Sequence, residues 1–210
     1  MALLTTFELL VKRIAPTPGG PANPANAPFR RVVQGYFLTI SHIPDDNSAA
    51  LSLRMRFTTN IVGQDILDPN NRFYRGLIGT SLANSNHSFV VDNAGVQTTT
   101  LLAALAPLVT SQPFESVPFT IRPGQTISAA LFPNVGNPFV LSAENLAVRG
   151  YAEILTENGQ PANEQLLISA EQRGTLLDND YPVFNNTDIL DFDQISYSLP
   201  LAGGRALIRV

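Results

Sequence analysis

Residues 50–59 read Ala-Leu-Ser-Leu-Arg-Met-Arg-Phe-Thr-Thr, so that Leu51, Leu53, Met55 and Phe57 alternate with Ser52, Arg54, Arg56 and Thr58. A two-residue period belongs to a strand with one buried face and one face in water. Residues 32–43 form a second apolar run, rich in β-branched and aromatic side chains, and Pro44-Asp45-Asp46-Asn47-Ser48 between the two runs consists of turn formers. The pair predicts a long β-hairpin.

The rest of the chain reads the same way. Residues 5–14 predict a strand whose period is blurred by the adjacent Leu9 and Leu10, and residues 73–79 a short strand or turn. Residues 88–91 and 96–100 flank Asp92-Asn93-Ala94-Gly95, a composition suited to a hairpin turn. Val117, Phe119 and Ile121 alternate toward one side, Pro123-Gly124 supplies a turn, and residues 126–132 return with Ile127, Ala129 and Leu131 on one face, which predicts a further hairpin. Residues 145–156 place Leu146, Val148, Ala152 and Ile154 on one side and Arg149, Tyr151 and Glu153 on the other. Gly150 falls on the apolar side of that strand, where a bulge or a closely approaching backbone is the usual cause. Residues 165–169, 194–199 and 205–210 supply three more strands, the last two around Ala202-Gly203-Gly204. Residues 101–108 are the one helix candidate, and Pro107 limits it to about two turns.

Many short strands joined by Gly, Pro and Asn turns predict an all-β fold, an antiparallel β-sandwich of jelly-roll or immunoglobulin-like order with at most one short helix. The 210 residues suit a single domain of this kind, and a chain of that length buries roughly 70% of its unfolded surface without disulfides or metal. One segment stands apart. Residues 15–28, Ala-Pro-Thr-Pro-Gly-Gly-Pro-Ala-Asn-Pro-Ala-Asn-Ala-Pro, form neither helix nor central strand, because proline removes backbone donors and fixes φ. The expected organisation is therefore a strand arm with a proline-rich linker over 1–28, and one β-sandwich domain over 29–210. An extended proline-rich segment rises about 3.1 Å per residue, so this one could carry the first strand on the order of 40 Å from the body. Two readings follow: an arm that adds to the sheet of a neighbouring copy, or a long loop that returns the strand to its own domain. In the first, Phe7, Leu9 and Val11 are the oligomer-interface residues.

Composition narrows the partners. Charged residues make up 14% of the chain and hydrophobic ones 44%, so the surface is largely neutral, its polarity carried by Asn, Gln, Ser and Thr. Such a surface suits contact with protein or saccharide. A net charge of -4 argues against nucleic acid, whose affinity comes from clustered Lys and Arg. Lys12 is the only lysine; lineage bias is the plainer explanation, yet arginine-rich, lysine-poor surfaces also match protein interfaces. The apolar run at 7–11 lacks the basic flank of a signal peptide, and no stretch approaches the roughly 18 apolar residues of a membrane span. The expectation is a soluble protein, cytoplasmic or part of an assembled particle, without membrane insertion.

Candidate chemistry is sparse. The absence of cysteine removes thiolate metal sites, disulfides and cysteine nucleophiles together. His42 and His87 are the only neutral-pH bases. Gly79-Thr80-Ser81-Leu82-Ala83 is a loose relative of the nucleophile elbow, but its last glycine is replaced and no strand-to-helix context surrounds it. Acidic residues gather at Asp178, Asp180, Asp188, Asp191 and Asp193. Loops of that composition can ligate calcium, although the spacing is not that of an EF-hand and a solvated acidic edge is the simpler reading. Tyr36, Tyr74, Tyr151, Tyr181 and Tyr197 are the rings available for stacking on a sugar. Asn86-His87-Ser88 and Asn185-Asn186-Thr187 match the glycosylation acceptor pattern by chance composition. The sequence thus points to a non-enzymatic, self-assembling structural protein without cofactor or metal: a homo-oligomeric coat, shell, filament or appendage subunit. The alternative is a binding or adaptor module that recognises saccharide or protein through its loops.

Overall fold

A computed structural model describes residues 1–13, 31–46, 48–60, 87–93, 96–100, 103–104, 111–134, 145–157, 163–177 and 193–210. Thirteen strands lie within them: β1 (Ala2–Arg13), β2 (Arg31–Ile43), β3 (Leu51–Asn60), β4 (His87–Asn93), β5 (Val96–Thr100), β6 (Ala103–Ala104), β7 (Ser111–Glu115), β8 (Phe119–Ile121), β9 (Thr126–Pro133), β10 (Asn145–Thr156), β11 (Gln165–Leu177), β12 (Asp193–Ser198) and β13 (Leu207–Arg209). Every pairing between them is antiparallel. They form one sheet in the order β5-β4-β9-β2-β1-β10-β3-β7-β6, with β8 beside β3 and β11 carrying β12 and β13.

The sheet curls until it nearly closes. β8 lies on β3 at one end of the order, and the chain then turns through Arg122–Gln125, where the Gln125 amide donates to the Arg122 carbonyl at 3.0 Å, straight into β9 beside β2. Inside this near-barrel lies one core built by the alternating faces: Leu38 and Ile40 of β2, Leu51, Leu53, Met55 and Phe57 of β3, Ile127, Ala129 and Leu131 of β9, Ala152 and Ile154 of β10, and Leu166 and Ile168 of β11.

β2 is the strand around which the curl is organised. One edge pairs with β11 along its full length. The other edge changes partner: Arg31–Gln34 pair with β1, and Tyr36–Ser41 pair with β9. Gly35 sits at the fork, where a Cβ would lie 2.9 Å from the Phe132 Cβ, so the approach of β9 leaves no room for a side chain.

The strand positions largely follow the sequence reading, but several pairings do not. The run 32–43 and the run 51–59 are strands without being a hairpin: β2 pairs with β1, β9 and β11, and β3 with β10, β7 and β8. β2 has no edge left for β3, since β11 takes one of its edges and β1 and β9 share the other. Likewise β8 and β9 leave their shared turn in different directions, and Val117, expected inward, is exposed. The β4–β5 hairpin forms as expected, closing at Asn93 and Val96. No α-helix occurs among the described residues; of the helix candidate 101–108 only Ala103 and Ala104 are described, and they pair as strand β6 with Glu115 and Phe114. Alanine favours helix only weakly, and at Ala103 and Ala104 pairing with β7 overrides that preference; the rest of the candidate lies outside the described residues.

Candidate functional site

Among the described residues, the slot occupied by β1 joins the most kinds of interaction: two ladders, an aromatic cluster and a side-chain clamp on the backbone. β1 runs between β10, with which it pairs from Ala2 to Lys12, and β2, with which it pairs only from Leu10 to Arg13. A register shift between Leu3 and Thr5 marks a bulge, which exchanges the inward and outward faces. Before it Ala2 and Leu4 point to the core; after it Thr5, Phe7, Leu9 and Val11 do. The predicted interface trio Phe7, Leu9 and Val11 is therefore buried, with β1 seated in the chain's own sheet.

Phe7 is the anchor. Its ring makes a tilted contact with Tyr36 at 5.7 Å between centroids and an edge-on contact with Phe57 at 5.6 Å. Phe57 continues to Phe89 at 5.5 Å, so the strand is tied to an aromatic chain through the centre of the core. Such tilted pairs each contribute about 0.5–1.5 kcal/mol beyond their buried area. Thr5 adds a hydroxyl bond to the Pro200 carbonyl at 2.8 Å, and Glu8 meets Arg149 at 2.7 Å on the outer face.

Where β1 and β2 diverge beyond Gly35, the backbone of Glu8 would lose its ladder partner. Gln172 of β11 fills the gap. Its Nε2 donates to the Glu8 carbonyl and, at 2.9 Å, to the Gly35 carbonyl, while its Oε1 accepts from the Glu8 amide at 3.3 Å. A side-chain amide has the donor and acceptor of a peptide unit, so Gln172 stands in for the missing strand. The buried polar groups are thereby satisfied, and the clamp reads backbone rather than side chain.

A second polar cluster lies at the end of β2. His42 Nε2 and Glu164 Oε2 are 2.8 Å apart with both side chains buried, and Glu164 Oε1 accepts from the Ala49 amide at 3.3 Å. The His42 hydrogen bond, with smaller contributions from Ser48 and Ala49, holds the Glu164 carboxyl below the usual carboxylate range against burial, which raises it. Around this pair the Gly124 amide donates to the His42 carbonyl at 3.0 Å and the Val210 amide to the Glu164 carbonyl at 3.1 Å. The pair therefore joins β2, the 44–50 connection, β11 and the segment after β13. Buried from solvent, it braces the fold.

Of the tyrosine candidates, the three that are described lie apart. Tyr36 is buried, its phenol pushed up by that burial, while Tyr151 of β10 and Tyr197 of β12 are exposed on separate strands. Gly79 to Ala83, Tyr74, Tyr181, Asn86, Asn185, Asn186 and the aspartates from Asp178 to Asp191 lie outside the described residues. Among the described residues no group of three or more acidic or histidine side chains could hold a metal. No helix there is long and apolar enough to cross a membrane.

Gln172 and Glu164 escape the sequence reading. The strand at 165–169 continues to Leu177, but Gln172 and Gly174 take inward positions where an apolar residue is expected, which hides the alternation. The signal that survives is Glu171 and Arg173 on the opposite parity. No protein-family model matches the chain, and no curated protein matches it in sequence.

Proposed function

We propose that this protein is a non-enzymatic structural subunit that assembles with copies of itself, as coat, shell, filament or appendage subunits do, by exchanging β1 between neighbours. The observation that carries the proposal is the closure of β1 and β2. Arg13 stands directly opposite Arg31, where two residues would complete a hairpin, yet the chain spends residues 14–30 on the connection. Pro16, Pro18, Pro21, Pro24 and Pro28 bias that connection toward an extended form. Its length and stiffness are surplus to an own-chain hairpin and match a strand delivered to a neighbour.

The slot favours exchange for a second reason. The Gln172 clamp, the β10 ladder and the space over Gly150 are indifferent to which copy supplies β1, so exchange keeps every contact of the strand and links subunits by an element whose inward face, Thr5, Phe7, Leu9 and Val11, is buried. The finer architecture belongs to this proposal: a β-sandwich of jelly-roll or immunoglobulin-like order whose two layers share β2, one through β1 and the other through β9.

The test is the mass in solution of the full chain and of a variant in which residues 14–30 are replaced by Asn-Gly, which closes a tight β1–β2 hairpin. The full chain forms a defined oligomer or polymer and the variant a monomer. A full chain that stays at 22.7 kDa at every concentration, or a variant that assembles equally well, overturns the proposal.

A further inference from the structure

The strand β13 has one partner and one free edge among the described residues. The Ile168 amide donates to the Ala206 carbonyl at 2.8 Å and the Val210 amide to the Glu164 carbonyl at 3.1 Å. Backbone groups alternate sides along a strand, so Ala206, Ile208 and Val210 turn theirs to β11, while Leu207 and Arg209 turn theirs away from it. Side chains alternate too: Ile208 and Val210 pack on the core, and Leu207 and Arg209 face out, preceded by Arg205 in extended backbone.

That outward row is cationic. Arg54, Arg56, Arg149 and Arg173 each reach a carboxylate, whereas Arg205 and Arg209 are exposed and reach none among the described residues. Between them Leu207 faces Leu167 across the β11 ladder, both exposed. Arg205, Leu207 and Arg209 line a groove of about 750 Å³ together with Ala202, Ala206 and Ile208. Of the devices that discourage edge pairing, β13 has two, its length of three residues and the exposed charges of Arg205 and Arg209, but neither a bulge nor a proline; those charges repel a basic strand and attract an acidic one.

The geometry points to a docking site for an acidic, extended segment of another protein, which adds to β13 as a further strand. The free N–H and C=O groups of Leu207 and Arg209 pair with its backbone, and its outer face carries carboxylate, apolar residue and carboxylate at positions i, i+2 and i+4, against Arg205, Leu207 and Arg209. Main-chain bonds of this kind give affinity, and the alternate side chains give selectivity. Charge complementarity selects the partner: reversing either sign sets like charges together at both ends of the row. In the sheet order β13 and β2 both pair with β11, and although Thr5 of β1 bonds the Pro200 carbonyl nearby, the pairing edge of β13 takes no part in the β1 ladders, so the inference does not depend on strand exchange.

The probe is a fluorescent peptide, acetyl-Thr-Thr-Glu-Thr-Val-Thr-Glu-Thr-Thr-amide, titrated with the full-length protein and followed by anisotropy. It binds saturably, and the same peptide with lysine in place of glutamate binds about tenfold or more weakly, as does the acidic peptide to R205E/R209E. Because both arginines are exposed, that variant keeps the thermal midpoint of the parent. N-methylation of the valine, whose N–H would face β13, abolishes binding, while N-methylation of a neighbouring threonine does not. Absence of saturable binding, equal binding to R205E/R209E, or indifference to the valine N-methyl group each overturns the inference.

Discussion

Phe7 stands directly across from Gly150 in the β1–β10 ladder, and the tip of its ring lies 3.1 Å from the point where a side chain at 150 would begin. The glycine is the other half of the anchor. Its bare backbone admits both the phenyl ring and the Thr58 carbonyl of β3, which a Cβ would overlap.

Gly150→Ala is therefore expected to force β10 away from β3 and to tilt Phe7 out of its contacts with Tyr36 and Phe57. Overpacking of a tight site costs about 3 kcal/mol when backbone must move. Urea denaturation measures it, and a loss below about 1 kcal/mol would show that the site relaxes easily.

Gln172→Leu keeps the volume of the clamp and removes its polar atoms. The Glu8 amide and carbonyl and the Gly35 carbonyl lose their partner, at a cost on the order of 3 kcal/mol. A second readout is local. Hydrogen exchange at the Glu8 amide rises in Gln172→Leu more than at the amides of β3, whereas equal protection in parent and variant would mean that another group satisfies Glu8.

The Glu164 carboxyl titrates below its ordinary 4.5 in the folded chain. A depressed folded value means that the unfolded state takes up its proton first as pH falls. The stabilisation is thus complete well above pH 4.5 and is lost as the pH drops through the lower folded value. Stability measured between pH 7 and pH 3 should fall below about pH 4.5, and Glu164→Gln should flatten that part of the profile while lowering stability at neutral pH. An unchanged acid limb in Glu164→Gln would assign the acid sensitivity to other carboxylates.

Strand positions and faces were legible in the sequence wherever one side is apolar, because burial itself writes the two-residue period. Residues 145–156 show this best: they form β10, with Val148, Ala152 and Ile154 buried and a close backbone at Gly150. Partners were not legible. The run 51–59 looks complementary to 32–43, but nothing in an alternating pattern says that Leu53 faces Thr156 and Phe119 while Ile40 faces Ile168 and Ile127. The clamp was hidden for a related reason: a glutamine matters here only because β1 and β2 part at Gly35, which is a property of three strands at once.

Exchange of β1 is tested most directly by covalent capture. Glu8 pairs with Arg149, and because both backbone groups of Glu8 turn to Gln172, this is a pair without direct ladder bonds. Such pairs bring Cα atoms to about 4.5 Å, within reach of a disulfide. The chain contains no cysteine, so E8C/R149C introduces one defined bridge. After oxidation of the assembled protein, a denaturing gel without reductant should show covalent multiples of the chain that collapse to a single band on reduction. A bridge formed quantitatively within single chains would contradict strand exchange and leave β1 as a strand of its own subunit.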